Sequence, residues 1–305
     1  MFDLPGEERP QPTTRLLDQW VRDAEDITKG SRKRIGWVVA STVVIAALQR
    51  AVALDQQPLF LVKGGLYLEL CFGLKARATK DVDTLFRGSA AEFEKALDTA
   101  LAEPWGPITF QRTQLERVVK APRLIKPYRL AVLLTVRGKT WRRVQVEVSF
   151  PEGRVGSAAT PVPAPVIGFF GLESPDVVAG IAMDYQVAQK THAATDPDVP
   201  PDIVNDRVRD VVDLVLIREN LYTDDPTPPT LKAACLDVFR ARADEAEAIG
   251  AVPRHWPPTF VANAAWRSTY PSLAASVALT YTLEEAMAIV QAWIDAIDGS
   301  AEGER

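Results

Sequence analysis

Cysteine, histidine and methionine are scarce in this chain of 305 residues, with 2, 2 and 3 of each. The cysteines, Cys71 and Cys235, form no CxxC pair and no framework of bridges, so a reducing cytoplasm is the expected compartment and both are read as buried free thiols. His192 and His255 have no metal-ligand partner at usable spacing, so no zinc centre is expected. The chain also lacks a Ser-His-Asp set, a P-loop, a dinucleotide-binding fingerprint and an internal repeat. Long hydrophobic runs are missing too. Residues 35–48 are the most apolar stretch, yet they contain Ser41 and Thr42, end at Gln49 and Arg50, and are too short to span a bilayer. That stretch is read as a core helix running to about Leu54, and no membrane partner is expected. Residues 1–12 are polar, without the order of a signal peptide, and are read as a mobile lead.

An excess of basic charge is likewise absent. Lys and Arg total 35 against 40 Asp and Glu, a formal net charge of -5, which argues against a protein that coats nucleic acid. One region reverses the balance. Between residues 112 and 143 lie Arg112, Arg117, Lys120, Arg123, Lys126, Arg129, Arg137, Lys139, Arg142 and Arg143, with Glu116 as the only acid. Such a field either attracts a phosphate backbone or triphosphate, or guards strand edges against aggregation. Tyr128 and Trp141 in the same region either stack on bases or fill a sheet.

What is present is concentrated in residues 59–86. A short apolar run predicts a buried strand, and Lys63, Gly64 and Gly65 break it. Paired glycines allow a sharp turn whose N–H groups can face an anion, and the helix expected next adds the positive end of its dipole. The chain returns to a second strand bearing Asp81 and Asp83, two residues apart and therefore on one face, with Val82 toward the core. Adjacent carboxylates repel unless a hard cation neutralises them, and magnesium commonly uses one or two carboxylates together with substrate phosphates.

Lys63-Gly64-Gly65 followed by Arg77, Thr79 and Asp81-Val82-Asp83 resembles the signature of the AbiEii/AbiGii toxin family, which includes the MenT toxins of mycobacteria. The resemblance implies an α+β fold with a nucleotidyltransferase sheet of the DNA polymerase β type, followed by a mainly helical C-terminal half. It implies transfer of a nucleotide from an NTP under Mg2+. The acceptor it implies is the 3′ end of tRNA, with arrest of translation and a cognate antitoxin encoded nearby. Asp81 and Asp83 are the expected metal carboxylates, and Lys63, Gly64, Gly65, Arg77 and Thr79 the expected nucleotide contacts. The sequence departs from many members by placing Leu66 after the glycines, where a hydroxyl contacts phosphate, so backbone N–H groups must serve alone. Two alternatives use the same fold: adenylylation of a small molecule such as an antibiotic, and phosphotransfer to protein.

Residues 142–150 alternate, with Val144, Val146 and Val148 facing one way and Gln145, Glu147 and Ser149 the other. The resemblance makes Glu147 the third carboxylate, a metal ligand or base, where most relatives have Asp. Residues 153–165 read as a linker, residues 176–195 and 206–220 as helices, and residues 196–201 as the loop joining them. Ala-x-Lys-x-His-Ala ending at Ala193, with Arg207-x-Arg209-Asp210 beyond it, resembles the family's later motifs. Carried over, Lys190 binds triphosphate or assists proton transfer and Asp210 completes the site, with Asp213 a weaker candidate. The resulting division is 1–160, N-terminal helices and catalytic domain, and 161–305, a helical domain completing the active site.

Overall fold

The computed structural model describes residues 9–28, 31–119, 124–197, 204–223, 228–261 and 263–300. Most of the lead, the loop residues Asp198 to Pro201, and Lys120 and Arg123 lie outside the described residues. The chain divides into two compact units. The first draws on Met1–Leu74, Ala78–Pro151 and Gly156–Ile181, the second on Lys75–Arg77, Glu152–Val155 and Ala182–Arg305.

Two helices open the first unit, α1 (Thr14–Thr28) and α2 (Arg32–Leu48). α1 buries Leu17, Trp20, Val21 and Ala24, a three-to-four spacing that puts them on one face. α2 is buried on nearly all sides, and its polar residues Ser41 and Thr42 return their hydroxyls to the Val38 carbonyl at 3.1 and 2.7 Å. The helix stops at Leu48, short of the expected Leu54. Beyond it, Gln49 donates its amide to the carbonyls of Phe60 and Ala179 at 3.0 and 2.6 Å, and Val52 bridges back to Pro58.

The strands are β1 (Phe60–Lys63), β2 (Asp81–Phe86), β3 (Ile108–Arg112), β4 (Glu116–Arg117), β5 (Tyr128–Val136), β6 (Lys139–Ser149), β7 (Thr160–Pro163) and β8 (Val177–Gly180). α3 (Gly64–Phe72) leaves β1 without a loop, and α4 (Phe93–Ala102) follows β2. All the strands join one sheet of order β3-β5-β6-β2-β1-β8-β7, with β4 paired to β5. β2 runs parallel to β6 and β1 parallel to β8; the other pairs are antiparallel. One face is aromatic. Phe60 packs on Phe86 at 4.9 Å between ring centroids, and Phe93 of α4 stacks on Tyr128 at 5.2 Å.

Three local expectations are corrected. Residues 153–165 are not merely a linker, because they contain β7, an edge strand where Pro161 and Pro163 are tolerated. Residues 177–180 are strand, and the helix read from residue 176 begins only at Met183. Gly180 explains the strand: it pairs with Val62, and a Cβ there would overlap the ring of Tyr67 on α3. Cys235 is buried as expected, but Cys71 is exposed.

The second unit holds α5 (Met183–Ala194), α6 (Val208–Leu221), α7 (Pro229–Ala248), α8 (Trp266–Ser276) and α9 (Leu283–Gly299). α5 packs on α6 and α7, and α6 packs on α8 and α9. Trp266 is buried and donates its ring N–H to the Asn205 carbonyl at 2.6 Å. Trp256 donates to Asp298 at 2.9 Å and lies edge-on to Phe239, so both tryptophans serve packing. Among the described residues, no helix is long and apolar enough to cross a membrane.

Candidate active site

The open face of the sheet in the first unit is where the alternation of β2 and β6 puts its polar side chains. Asp81 and Asp83 are part-buried on β2, with Val82 fully buried between them. β6 lies alongside in parallel, pairing Asp81 with Gln145 and Asp83 with Glu147. Partners in register share a face, so Glu147 is the lateral neighbour of Asp83. Side-chain bonds to backbone hold this register: Thr84 donates to the Glu147 carbonyl and Ser149 to the Thr84 carbonyl, each at 3.2 Å.

On the other side of β2, Lys63 of β1 pairs with Asp83, and Arg129 of β5 pairs with Glu147. Lys63, Asp83, Glu147 and Arg129 thus form one row across four strands, with charges in the order plus, minus, minus, plus. With strands about 4.8 Å apart, the row spans roughly 14 Å. Arg129 donates to Glu147 at 2.9 Å. That hydrogen bond, followed by the fields of Glu147 and Asp81, raises the already high pKa of Arg129.

The glycine turn sits against this row. Gly64 has φ +65, a conformation that L side chains rarely adopt, and it opens α3 directly after Lys63. A Cβ at Gly64 would overlap the Asp83 carboxylate. The expected turn followed by a helix is therefore one feature: the glycines are the first residues of the helix, and its positive end faces a carboxylate of the pair. Leu66 is fully buried, which makes it a core residue. α3 is anchored at its other end, where Arg34 of α2 donates to buried Glu69 at 2.6 Å and to the Gly73 carbonyl at 2.9 Å.

These donors suit a hard divalent cation: two carboxylates on one face, one of them packed against a backbone position where only glycine fits. Among the described residues, no group of three or more His, Cys, Asp or Glu side chains is gathered for metal binding. Glu147, the neighbour of Asp83 on β6, is engaged by Arg129 at 2.9 Å.

The second unit carries the later motifs. Lys190 of α5 donates to Asp210 at 2.8 Å and to Asp213 at 2.7 Å, both on α6. Arg77 makes a two-pronged contact to Asp213, with Nε and Nη2 each at 3.0 Å. The side chains of Lys190, Asp210 and Asp213 are 7%, 11% and 1% exposed. Burial alone would lower the Lys190 pKa, but the charges of Asp210 and Asp213 outweigh it and hold the ammonium above its ordinary value. Burial likewise works against the Asp210 carboxylate, and Lys190 and Arg207 outweigh it to hold the pKa below the usual range. Asp213, ranked below Asp210 from the sequence, is the hub that receives both cations. The three-residue spacing from Asp210 puts them on one face, which was the available signal.

Thr79 donates to the Asp81 carbonyl at 3.3 Å. The basic stretch is partly spent on structure. Arg112 is held by Glu94 at 2.7 Å and by Asp98, and Arg142 donates to Asp18 at 2.8 Å. Trp141 is buried and donates to Asp18 at 3.0 Å, so Trp141 and Tyr128 are sheet filler. Arg117, Arg137, Lys139 and Arg143 remain exposed on β4, β6 and the turn between β5 and β6.

The sequence profile described as "Nucleotidyl transferase AbiEii toxin, Type IV TA system" matches residues 46–292. No curated protein matches the chain in sequence. Among solved structures, the chain is similar to MenT4, nucleotidyltransferase toxin Rv2826c from Mycobacterium tuberculosis H37Rv. The identity is 14%, the TM-score 0.51, and the match covers 94% of this chain and 98% of that one. It also matches a protein from H. pylori described as a candidate nucleotidyltransferase, at 12% identity and TM-score 0.43, over 85% of this chain and 94% of that one. The likeness to MenT4 is one of fold, while the profile match takes in both the carboxylate strand and the Lys190 helix pair. On that match, the chain belongs to the AbiEii family, the nucleotidyltransferase toxins of type IV toxin–antitoxin systems.

Proposed function

We propose that the protein moves a nucleotide from an NTP to the 3′ end of tRNA, with Asp81 and Asp83 as the carboxylates that hold Mg2+. One observation carries the proposal: Asp83 lies beside Asp81 on β2 and directly against Gly64 at the start of α3. A magnesium ion held there would draw charge from the phosphoryl oxygens as the α-phosphorus is attacked. Lys63 and the first N–H groups of α3 bind phosphate oxygens, and Gly64, lacking a Cβ, lets the Asp83 carboxylate lie against the start of that helix. In the transfer, the acceptor hydroxyl oxygen bonds to the α-phosphorus. The bond from that phosphorus to the bridging oxygen of the β-phosphate breaks, and pyrophosphate leaves. Glu147, which would be the ion's third carboxylate ligand, takes the acceptor's proton.

In the second unit, two carboxylates keep Lys190 charged, a cation of the kind that offsets phosphate charge. Exposed Arg117, Arg137, Lys139 and Arg143 support a nucleic-acid acceptor, because a small acceptor needs no such field. The antitoxin enters through the family alone, as the product of a neighbouring gene that counters the toxin.

Incubating the protein with each α-labelled NTP, Mg2+ and total tRNA tests the reading. Label in tRNA is the expected result, and label confined to small molecules or protein would overturn it.

A further inference from the structure

Arg129 donates to Glu147, the carboxylate beside Asp83 in the row. Were Glu147 free, it would stand beside Asp83 on a neighbouring parallel strand, and the two negative charges would repel. Arg129 removes that repulsion from the far side. The pair is 50% and 33% exposed, so solvent screens it and little free energy is needed to exchange partners. A guanidinium binds phosphate oxygens as readily as it binds a carboxylate. Arg129 also lies within the field of Asp81, on the open face that carries the carboxylate pair.

We propose that Arg129 is a positioning residue that competes with the metal for Glu147. In the nucleotide-free protein it keeps the third carboxylate out of the metal site. A polyphosphate that takes over the guanidinium releases Glu147 to the metal, so the metal site is completed only when substrate is present. This rests on the assignment of Asp81 and Asp83 as metal carboxylates.

The test is Mn2+ binding to the full chain without nucleotide, followed by the EPR signal of free Mn2+. Arg129→Gln is expected to bind Mn2+ about fivefold more tightly than the native protein, roughly 1 kcal/mol. Glu147→Gln alone changes little, and the double variant loses the gain. In a second arm, binding of inorganic tripolyphosphate in EDTA, read by calorimetry, weakens several-fold in Arg129→Gln. Each variant is first checked for cooperative thermal unfolding. Where Arg129→Gln does not fold, Arg129→Lys takes its place, with a smaller gain expected. Three results would overturn the proposal: an unmoved Mn2+ affinity, a gain that persists without Glu147 and so reports only a long-range field, or unmoved tripolyphosphate binding. Asp83→Asn separates the two layers. If it loses Mn2+ binding while Arg129→Gln changes nothing, only the competition fails. If it keeps Mn2+ binding, the metal assignment fails as well.

Discussion

Lys63 and Asp83 stand opposite each other across β1 and β2, and Lys63 is the last residue before α3 begins. One strand pair therefore brings a cation, a carboxylate and a helix N-terminus to the same point. The consequences can be measured.

Gly64 is the tightest position of the three. Its φ of +65 and its contact with Asp83 leave no room for a methyl group. Gly64→Ala is expected to lose about 1–3 kcal/mol of stability and to push the Asp83 carboxylate aside. Denaturant unfolding and nucleotide transfer measured together check it, and a stable, active variant would refute the need for this close contact.

Asp83→Asn is expected to reduce transfer by about 10²–10³-fold, since several kcal/mol of charge stabilisation are lost at about 1.4 kcal/mol per tenfold. Stability should change little, because losing the repulsion from Asp81 is offset by losing the attraction of Lys63 and of the start of α3. Kinetics beside a urea titration separates the two effects.

Lys190 sits between Asp210 and Asp213 in a buried network. Lys190→Met leaves both carboxylates short of a cation and is expected to cost about 3–5 kcal/mol of stability. A loss of activity in this variant is therefore informative only in protein shown by circular dichroism and urea unfolding to remain folded. A variant as stable as the native chain would contradict the network's structural role.

The same network sets a pH window. Asp210 is held below its ordinary 3.8, so its contribution is in force above that pH and disappears as pH falls through the lower folded value. Lys190 is held above its ordinary 10.5, so its contribution is in force below that pH and disappears as pH rises through the higher folded value. Urea midpoints should show this contribution as a plateau between those limits. In Lys190→Met, the alkaline decline assigned to this residue should be absent.

Arg137 and Gly138 form the two-residue turn between β5 and β6, with φ of 49 and 76 and Val136 paired to Lys139. Arginine pays a steric cost there that asparagine or glycine largely avoids. Arg137→Asn should raise stability by about 0.5–1 kcal/mol, read as a higher melting temperature.

Local sequence determined much of this protein. Strict alternation in residues 144–149 placed Glu147 on the polar face, and the spacing of Asp81 and Asp83 placed both on one side of β2, because side-chain direction in a strand depends only on parity. The motifs around Lys63 and Lys190 pointed to the family for a similar reason: their spacing is local and survives without coordinates. Tertiary structure decided the rest. β8 could not be told from a helix start, since its strand character comes from pairing Gly180 with Val62 far earlier in the chain. Nor could local spacing show that Arg129 holds Glu147, that Arg77 grips Asp213, or that Asp213 is the hub of its network. Those contacts join residues 18, 136 and 23 positions apart. Charge alone does not choose among distant partners; the register of strands and the packing of helices do.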